Sequence, residues 1–398
     1  MAPWRGRLTL SPRVAALAAS LFVFAFGQEL WFRYLPEYLR VLGGSALAVG
    51  IFGTWKDFLD AAYAYPGGVL ADRLGTRAGL LLAGGASAAG FALYLAWPSL
   101  PAVFFGLLLV MCWPSLGLPS TFALIGEELA GSRRVVAFSV QAVVKRVPIV
   151  LAPPLGGLLL QRLGVRNGMR TGFAISTVLA LVALLGLRRG AGAPAPSRES
   201  FQGSGGGGVR LHPALRQLLV ADCLIRLCEG LPDVFLVIWA IEVVKVSPLQ
   251  FGILTSVLMG TAILSYLPAA GGAERVEKKT FVLLTYVFFS LFPLAVFLSR
   301  SFLALLGAYV LGGLREIGEP ARKALIVDLA DPLARGRTVG LYYAIRGFSV
   351  AGAAAVGGAL WMIAPSLTFS VATALGLAGT AWAAAFLPAA PRAQEATP

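Results

Sequence analysis

The sequence predicts an all-α integral membrane protein: twelve transmembrane helices in two pseudo-symmetric six-helix bundles. Three observations carry this expectation. The chain is 58% hydrophobic and only 13% charged over 398 residues, whereas a soluble domain keeps about a quarter of its residues charged. Its mean hydropathy is +0.79. Apolar runs of about 20 residues, the length that crosses a hydrocarbon core of about 30 Å, recur along nearly the whole chain. The first half of the sequence is also written again in the second half.

Lipid offers no partner to a free backbone amide, and the runs lack the alternation of a barrel strand, so the spans must be helices. Spans 1 to 6 are predicted at 13–38, 45–68, 78–97, 101–128, 135–160 and 168–188. Spans 7 to 12 follow at 214–240, 247–270, 280–299, 302–329, 338–361 and 366–388. Bases collect in alternate connections: Arg5 and Arg7; Arg73 and Arg77; Arg133 and Arg134; Arg188, Arg189, Arg198 and Arg210; Arg275, Lys278 and Lys279; Arg335 and Arg337. The other connections are poorer, with Arg40, Arg162, Arg166, Lys245 and Arg300. The positive-inside rule puts the first set and both termini in the cytoplasm, and the expected location is the plasma (inner) membrane, multi-pass. On this reading the net charge of +14 reflects topology and not a nucleic-acid partner. No cleavable signal is expected, because "MAPWRGRLTLSPR" lacks an apolar core and runs straight into span 1. Cys112, Cys223 and Cys228 read as small core residues with too few companions for metal or redox chemistry, and His212 reads as solvated. Neither a cofactor nor a metal is expected.

The stretch "RRGAGAPAPSRESFQGSGGGGVR" divides the chain into 1–188, a Gly/Pro/Ser-rich cytoplasmic linker at 189–210, and 211–398. An offset of 202 lays Ser45, Leu47, Gly50 and Ile51 on Ser247, Leu249, Gly252 and Ile253, and Pro66, Asp72 and Arg73 on Pro268, Glu274 and Arg275. After one deletion an offset of 201 lays "PSTFALIGE" on "PARKALIVD", Arg134 on Arg335, Lys145 on Arg346, and Gly156 and Gly157 on Gly357 and Gly358. Six spans per half give both halves the same orientation. Parallel repeats of this kind place a site between them near the midplane.

Between spans 2 and 3, "GGVLADRLGTR" resembles the loop signature of the major facilitator superfamily, G-x-L-a-D-R-x-G-r-[RK]. Asp72, Arg73, Gly75 and Arg77 match it, and Thr76 replaces a usual Arg. "GGAERVEKK", with Glu274 and Arg275, is its weaker copy between spans 8 and 9. The resemblance covers essentially the whole chain and implies the major facilitator fold. It also implies a gating role for both loops: Asp72 against the start of span 11 near Arg337 and Thr338, and Glu274 against span 5 near Arg134. Plain anchoring by interfacial charge is the alternative.

An ionisable group at membrane depth costs about 2.5 to 3.5 kcal/mol on insertion scales, so each needs a partner or a wet cavity. Spans 3, 6, 9 and 12 carry none in their middles, matching the four helices that face lipid in the superfamily. The charges lie in span 1 (Glu29, Arg33), span 2 (Lys56, Asp57, Asp60), span 5 (Lys145, Arg146), span 7 (Asp222, Arg226, Glu229, Asp233), span 10 (Arg315, Glu316, Glu319) and span 11 (Arg346). Spacing of four predicts the pairs Glu29/Arg33, Lys56/Asp60, Asp222/Arg226 and Arg315/Glu319, and spacing of three predicts Arg226/Glu229. Lys145 and Arg346 have no such partner and occupy equivalent depths, which makes them the first candidates to face an anionic solute unless acids across the bundle meet them. Arg226, Arg315 and Lys56 are further candidates to bind solute. A coupling proton needs a buried acid. Glu29 leads, because drug-exporting members of the superfamily often carry an acid in this helix, and Asp57, Glu229 and Glu319 follow.

In span 5, "VPIVLAPPLGG" resembles a degraded antiporter signature, G-x-x-x-G-P-x-x-G-G. Pro153, Gly156 and Gly157 match, while Pro148 and Ala152 replace glycines. Small residues let helices 5 and 8 approach closely, although Gly pairs are common in membrane helices for packing alone. The span-4 arginine that often accompanies proton coupling is missing; span 10 carries Arg315 and Arg322 instead. Phe24, Trp31, Trp55, Tyr63, Trp239, Tyr342 and Tyr343 offer either stacking surface or packing. The expected function is secondary active transport by alternating access, a proton-coupled export of a small polar or charged organic solute by a monomer. An uncoupled facilitator or importer of an organic anion is one alternative, and a receptor or scaffold that moves nothing is another. No nucleophile–base pair or metal-ligand spacing suggests an enzyme, and no Walker loop suggests ATP.

Overall fold

The computed structural model describes residues 12–74, 76–117, 134–190, 211–272, 278–330 and 335–387, with 12–17, 64–74, 76–77, 116–117, 134–145, 189–190, 266–272, 278, 320, 324 and 335–337 described in backbone alone. A helix stands at each of the twelve predicted spans, and no strand occurs among the described residues. Six helices are long and apolar enough to cross a membrane: Ala78–Ala96, Arg146–Arg188, Pro248–Ser265, Lys279–Leu298, Thr338–Ile363 and Pro365–Phe386. The second of these holds spans 5 and 6. Spans 4 and 10 miss that mark because they are broken, and spans 2 and 7 because charges stand in them, Lys56, Asp57 and Asp60 in the one and Arg216, Asp222, Arg226 and Glu229 in the other.

The breaks follow proline, which removes an amide donor and crowds the preceding turn. Span 1 runs as Pro12–Glu29, a 3-10 turn at Phe32–Tyr34 and a short helix Leu35–Val41 with Pro36 in its first turn. Span 7 runs as Pro213–Gly230, a 3-10 turn at Asp233–Phe235 preceded by Pro232, and Leu236–Ile238. Span 4 passes from Leu100–Val110 into a π turn at Trp113–Gly117 around Pro114, and span 10 restarts at Glu319–Asp328 after Phe302–Leu314. Both 3-10 turns obey the 201 offset of the repeat. The caps repeat too. Ser99 Oγ accepts from Ala102 N at 3.3 Å, as Ser301 Oγ does from Ala304 N at 3.3 Å. Ser45 Oγ accepts from Ala48 N at 3.2 Å, as Ser247 Oγ does from Gln250 N at 3.2 Å. His212, expected only to be solvated, is exposed and caps span 7 by accepting from Ala214 N through Nδ1 at 3.3 Å.

Spans 5 and 6 are closer than two separate helices. Helical hydrogen bonding runs from Arg134 to Gly190, broken at Gly164, whose φ of 75° and ψ of 160° reverse the chain in one residue. That positive φ favours glycine.

The first half packs around Trp31, whose ring centroid lies 5.4 Å from Phe91, 5.8 Å from Tyr94 and 4.9 Å from Phe173. Its Nε1 donates to Ser176 Oγ at 2.9 Å. Spans 3, 6, 9 and 12 turn exposed Leu82, Val178, Leu181, Val287 and Leu377 outward, as expected of lipid-facing helices.

The halves meet in two seams that are copies of one another. A Cβ at Gly50 of span 2 would strike the backbone of Ala354 and Gly358 in span 11; a Cβ at Gly252 of span 8 would strike that of Pro153 and Pro154 in span 5. Such close approach is how membrane helices gain contact without a hydrophobic driving force. Both seams lie toward the end that carries the base-poor connections. There Tyr34 OH donates to Pro153 O at 2.7 Å and to Pro248 O at 2.9 Å, and Arg40 pairs with Glu242 at 3.4 Å.

Candidate functional site

Away from the seams, spans 2 and 11 part and the space between the halves holds two chambers. The smaller, about 160 Å³, is bounded by Arg33, Lys56, Asp233, Tyr309 and Arg315 together with apolar side chains of spans 1, 5, 8 and 9. The larger, about 440 Å³, is lined by Asp57 and Asp60 of span 2, Arg226, Glu229 and Asp233 of span 7, and Tyr343 and Arg346 of span 11. Between them stands an ion pair that joins the halves, Lys56 Nζ to Asp233 Oδ2 at 3.1 Å. Lys56 also meets Asp57 at 3.5 Å.

The second half carries the denser charge cluster. Buried Asp222 accepts from Arg322, from Tyr342 OH at 3.0 Å, from Arg346 at 3.3 Å and from Tyr286 OH at 3.5 Å. Glu319 holds Arg322 at 2.6 Å and Arg226 at 3.7 Å. Glu229 holds Arg226 at 2.7 Å and Arg315 at 3.2 Å. Aromatic faces complete the sockets: Arg346 lies over Tyr343 at 4.7 Å, and Arg315 over Phe289 at 5.0 Å and Phe292 at 5.4 Å. Nε of Arg226 and Nε of Arg315 are buried without a hydrogen-bond partner among the described residues. Every guanidinium and carboxylate in the cluster nevertheless meets an opposite charge, which is what tolerating them at depth requires. Among the described residues no three His, Cys, Asp or Glu side chains converge to hold a metal ion.

Set against the expected pairs, Glu29/Arg33 forms at 3.4 Å and Arg226/Glu229 at 2.7 Å. The other three are corrected. Lys56 crosses to Asp233 and leaves Asp60 to accept from Ser115 Oγ at 2.6 Å. Asp222 binds Arg322 and Arg346 rather than Arg226, and Arg315 binds Glu229 rather than Glu319. An acid in span 7 therefore meets Arg346, which both lines the larger chamber and is half neutralised. The side chain of Lys145 lies outside the described residues, as do the side chains of Asp72, Arg73 and Arg77, and Gly75, Glu274 and Arg275 altogether. Pro153 and Gly157 sit in the seam, where a Cβ at Gly157 would strike Pro248 of span 8, whereas Gly156 packs within the first half, where a Cβ would strike Leu30 of span 1. Of the seven aromatics expected to offer stacking or packing, Phe24, Trp31, Trp239 and Tyr342 are buried in packing, and Tyr343 alone lines one of the two chambers. Asp222, Arg322, Asp233 and Asp60 complete the site although they were not among the candidate solute or proton residues. The sequence marked the three acids as charges at depth and Arg322 as a base of span 10, but of the four only Arg322 has a partner within reach of local spacing, Glu319 three residues away.

The profile of the Major Facilitator Superfamily matches residues 17–240 and 218–398. The chain belongs to the Major Facilitator Superfamily. An uncharacterized MFS-type transporter of Methanocaldococcus jannaschii is 22% identical over 382 residues, which cover 92% of this chain and 93% of that protein. One from Mycobacterium tuberculosis is 34% identical over 176 residues, 41% of each chain. Among solved structures, a peptide transporter POT in complex with sulfate superposes at a TM-score of 0.76 and 17% identity, over 97% of this chain and 95% of that one. A mutant of the nucleoside transporter NupG superposes at 0.71 and 12% identity, over 93% of this chain and 98% of that one. At such identity the likeness establishes the fold, twelve helices in the major facilitator arrangement. This superfamily member is a multi-pass secondary transporter of small molecules, and its relatives are transporters rather than enzymes.

Proposed function

We propose that this protein is a proton-coupled exporter of a small polar or charged organic solute, working as a monomer by alternating access in the plasma (inner) membrane with both termini cytoplasmic. The observation that carries the reading is the 440 Å³ chamber, lined by ionised side chains from both halves and lying below two equivalent glycine seams. Rigid units 1–188 and 211–398, joined by the linker at 189–210, rock about that chamber. The seams close the base-poor end, so by the positive-inside rule the state described faces the cytoplasm. Asp72 and Glu274 serve as the gate of the opposite end. Lys145 and Arg346 meet the solute, with Arg226, Arg315 and Lys56 around them. Glu29 carries the coupled proton, ahead of Asp57, Glu229 and Glu319, because its one ionic partner among the described residues, Arg33, is in its own helix.

A thermal-shift screen of purified protein against metabolites and antibiotics at two pH values supplies a ligand, and its flux is then followed in liposomes. Flux should accelerate under an imposed pH gradient, and Glu29→Gln should remove the acceleration. Lys145→Ala with Arg346→Ala should abolish flux in a folded protein. Flux blind to the gradient makes the protein an uncoupled facilitator, and binding without any flux makes it a receptor or scaffold.

A further inference from the structure

Six contacts thread seven side chains of the second half into one line of alternating charge. Arg346 meets Asp222 at 3.3 Å, Asp222 meets Arg322, and Arg322 meets Glu319 at 2.6 Å. Glu319 meets Arg226 at 3.7 Å, Arg226 meets Glu229 at 2.7 Å, and Glu229 meets Arg315 at 3.2 Å. The line begins and ends on arginine. Four arginines therefore face three acids, with exposed Lys323 a further cation on Glu319 at 3.8 Å, and the surplus is positive. Its Arg346 end opens into the larger chamber.

The facing wall, span 2, has the opposite surplus: Asp57 and Asp60 stand against one base, Lys56, which is itself shared with Asp233 of span 7. Asp60, exposed on the same face, has a hydroxyl as its polar partner and no cation among the described residues. Spans 2 and 11 touch at Gly50 and Ala354. From that apex Asp60 lies about 15 Å down one arm and Arg346 about 12 Å down the other, at 1.5 Å per helical residue. The two surpluses thus stand at similar depth on opposite arms of a V, and no ion pair between described residues joins Asp60 to Arg346.

We infer that the solute is a zwitterion, with an ammonium group seated against Asp60 and Asp57 and a carboxylate on Arg346 beside the Tyr343 ring. This rests on the transport reading above, because it takes the larger chamber as the solute's site. Arg346 spends Nη1 on Asp222 and keeps Nη2 and Nε without a hydrogen bond among the described residues. A planar guanidinium with two donors to spare suits a carboxylate. A solute charged at one end only meets one attractive wall and leaves the other surplus unanswered, so the arrangement selects against it.

The test uses the purified full chain and three probes with growing charge separation: β-alanine, γ-aminobutyrate and δ-aminovalerate. Each is compared with its N-acetyl derivative, which keeps only the anion, and its methyl ester, which keeps only the cation. At least one zwitterion should bind, with both capped forms about tenfold weaker, the loss of one hydrogen bond between charged groups. Asp60→Asn should remove the preference over the acetylated form, and Arg346→Gln the preference over the ester. Arg346→Lys keeps the charge beside Asp222 and should retain discrimination, which separates recognition from misfolding. Equal binding of an acetylated form, or binding of no zwitterion at all, overturns the inference. Flux of a capped anion with the zwitterion ignored retires the zwitterion while keeping the transporter. Discriminating binding without flux keeps the site and retires transport.

Discussion

Asp222 answers two guanidinium groups and two phenols with a single carboxylate, and it is fully buried. Removing it strands Arg322, itself buried, so Asp222→Asn should cost about 3 to 5 kcal/mol of stability, the usual toll of breaking a buried pair from one side. Thermal unfolding in detergent would show this as a large drop in midpoint, and pairing the change with Arg322→Met should restore much of it. An unchanged midpoint for the single variant would contradict the burial described. That these charges matter was readable from the sequence, because an ionised group inside an apolar run is expensive wherever it points. Their partners were not. A pair four residues apart on one helix is worth about 0.2 to 0.5 kcal/mol, which is too little to hold Lys56 on Asp60 when Asp233 of the other half comes within 3.1 Å. Spacing sees only one helix, and the cluster is built from three.

At the level of helices, the interruptions in spans 1 and 7 fall at one offset although their prolines do not, Pro36 following the first 3-10 turn and Pro232 preceding the second. The proline positions and the repeat were visible in the sequence; the depth to which the breaks drive Tyr34 into the seam needed the fold. The join of spans 5 and 6 was not visible either, since one glycine among 47 carries no mark of a positive φ. The seam glycines give an element-scale prediction. Gly50→Leu or Gly252→Leu should force the contacts with Ala354 or Pro153 apart and favour the state open at the base-poor end. A thiol at Thr255→Cys, buried beside the smaller chamber, should then react several-fold faster with a membrane-impermeant maleimide. An unaltered labelling rate would mean that the seam does not govern access.

On the scale of the molecule, the halves are tied at the closed end by Arg40 and Glu242. Arg40→Cys with Glu242→Cys, oxidised, should hold that end shut and stop exchange of solute, and reduction should return it. Continued flux through the oxidised protein would rule out rocking about this end. The hairpin at Gly164 adds a consequence of a different kind. With one residue between them, span 5 in the seam and span 6 at the periphery share no slack, so a displacement of either is handed to the other. The outer helix is the one that feels lipid, and a thicker or thinner bilayer obliges it to tilt. Turnover should therefore respond to acyl-chain length, fastest in one thickness and slower on both sides of it, in vesicles matched for headgroup and charge. The surrounding membrane then acts as a spring on the switch.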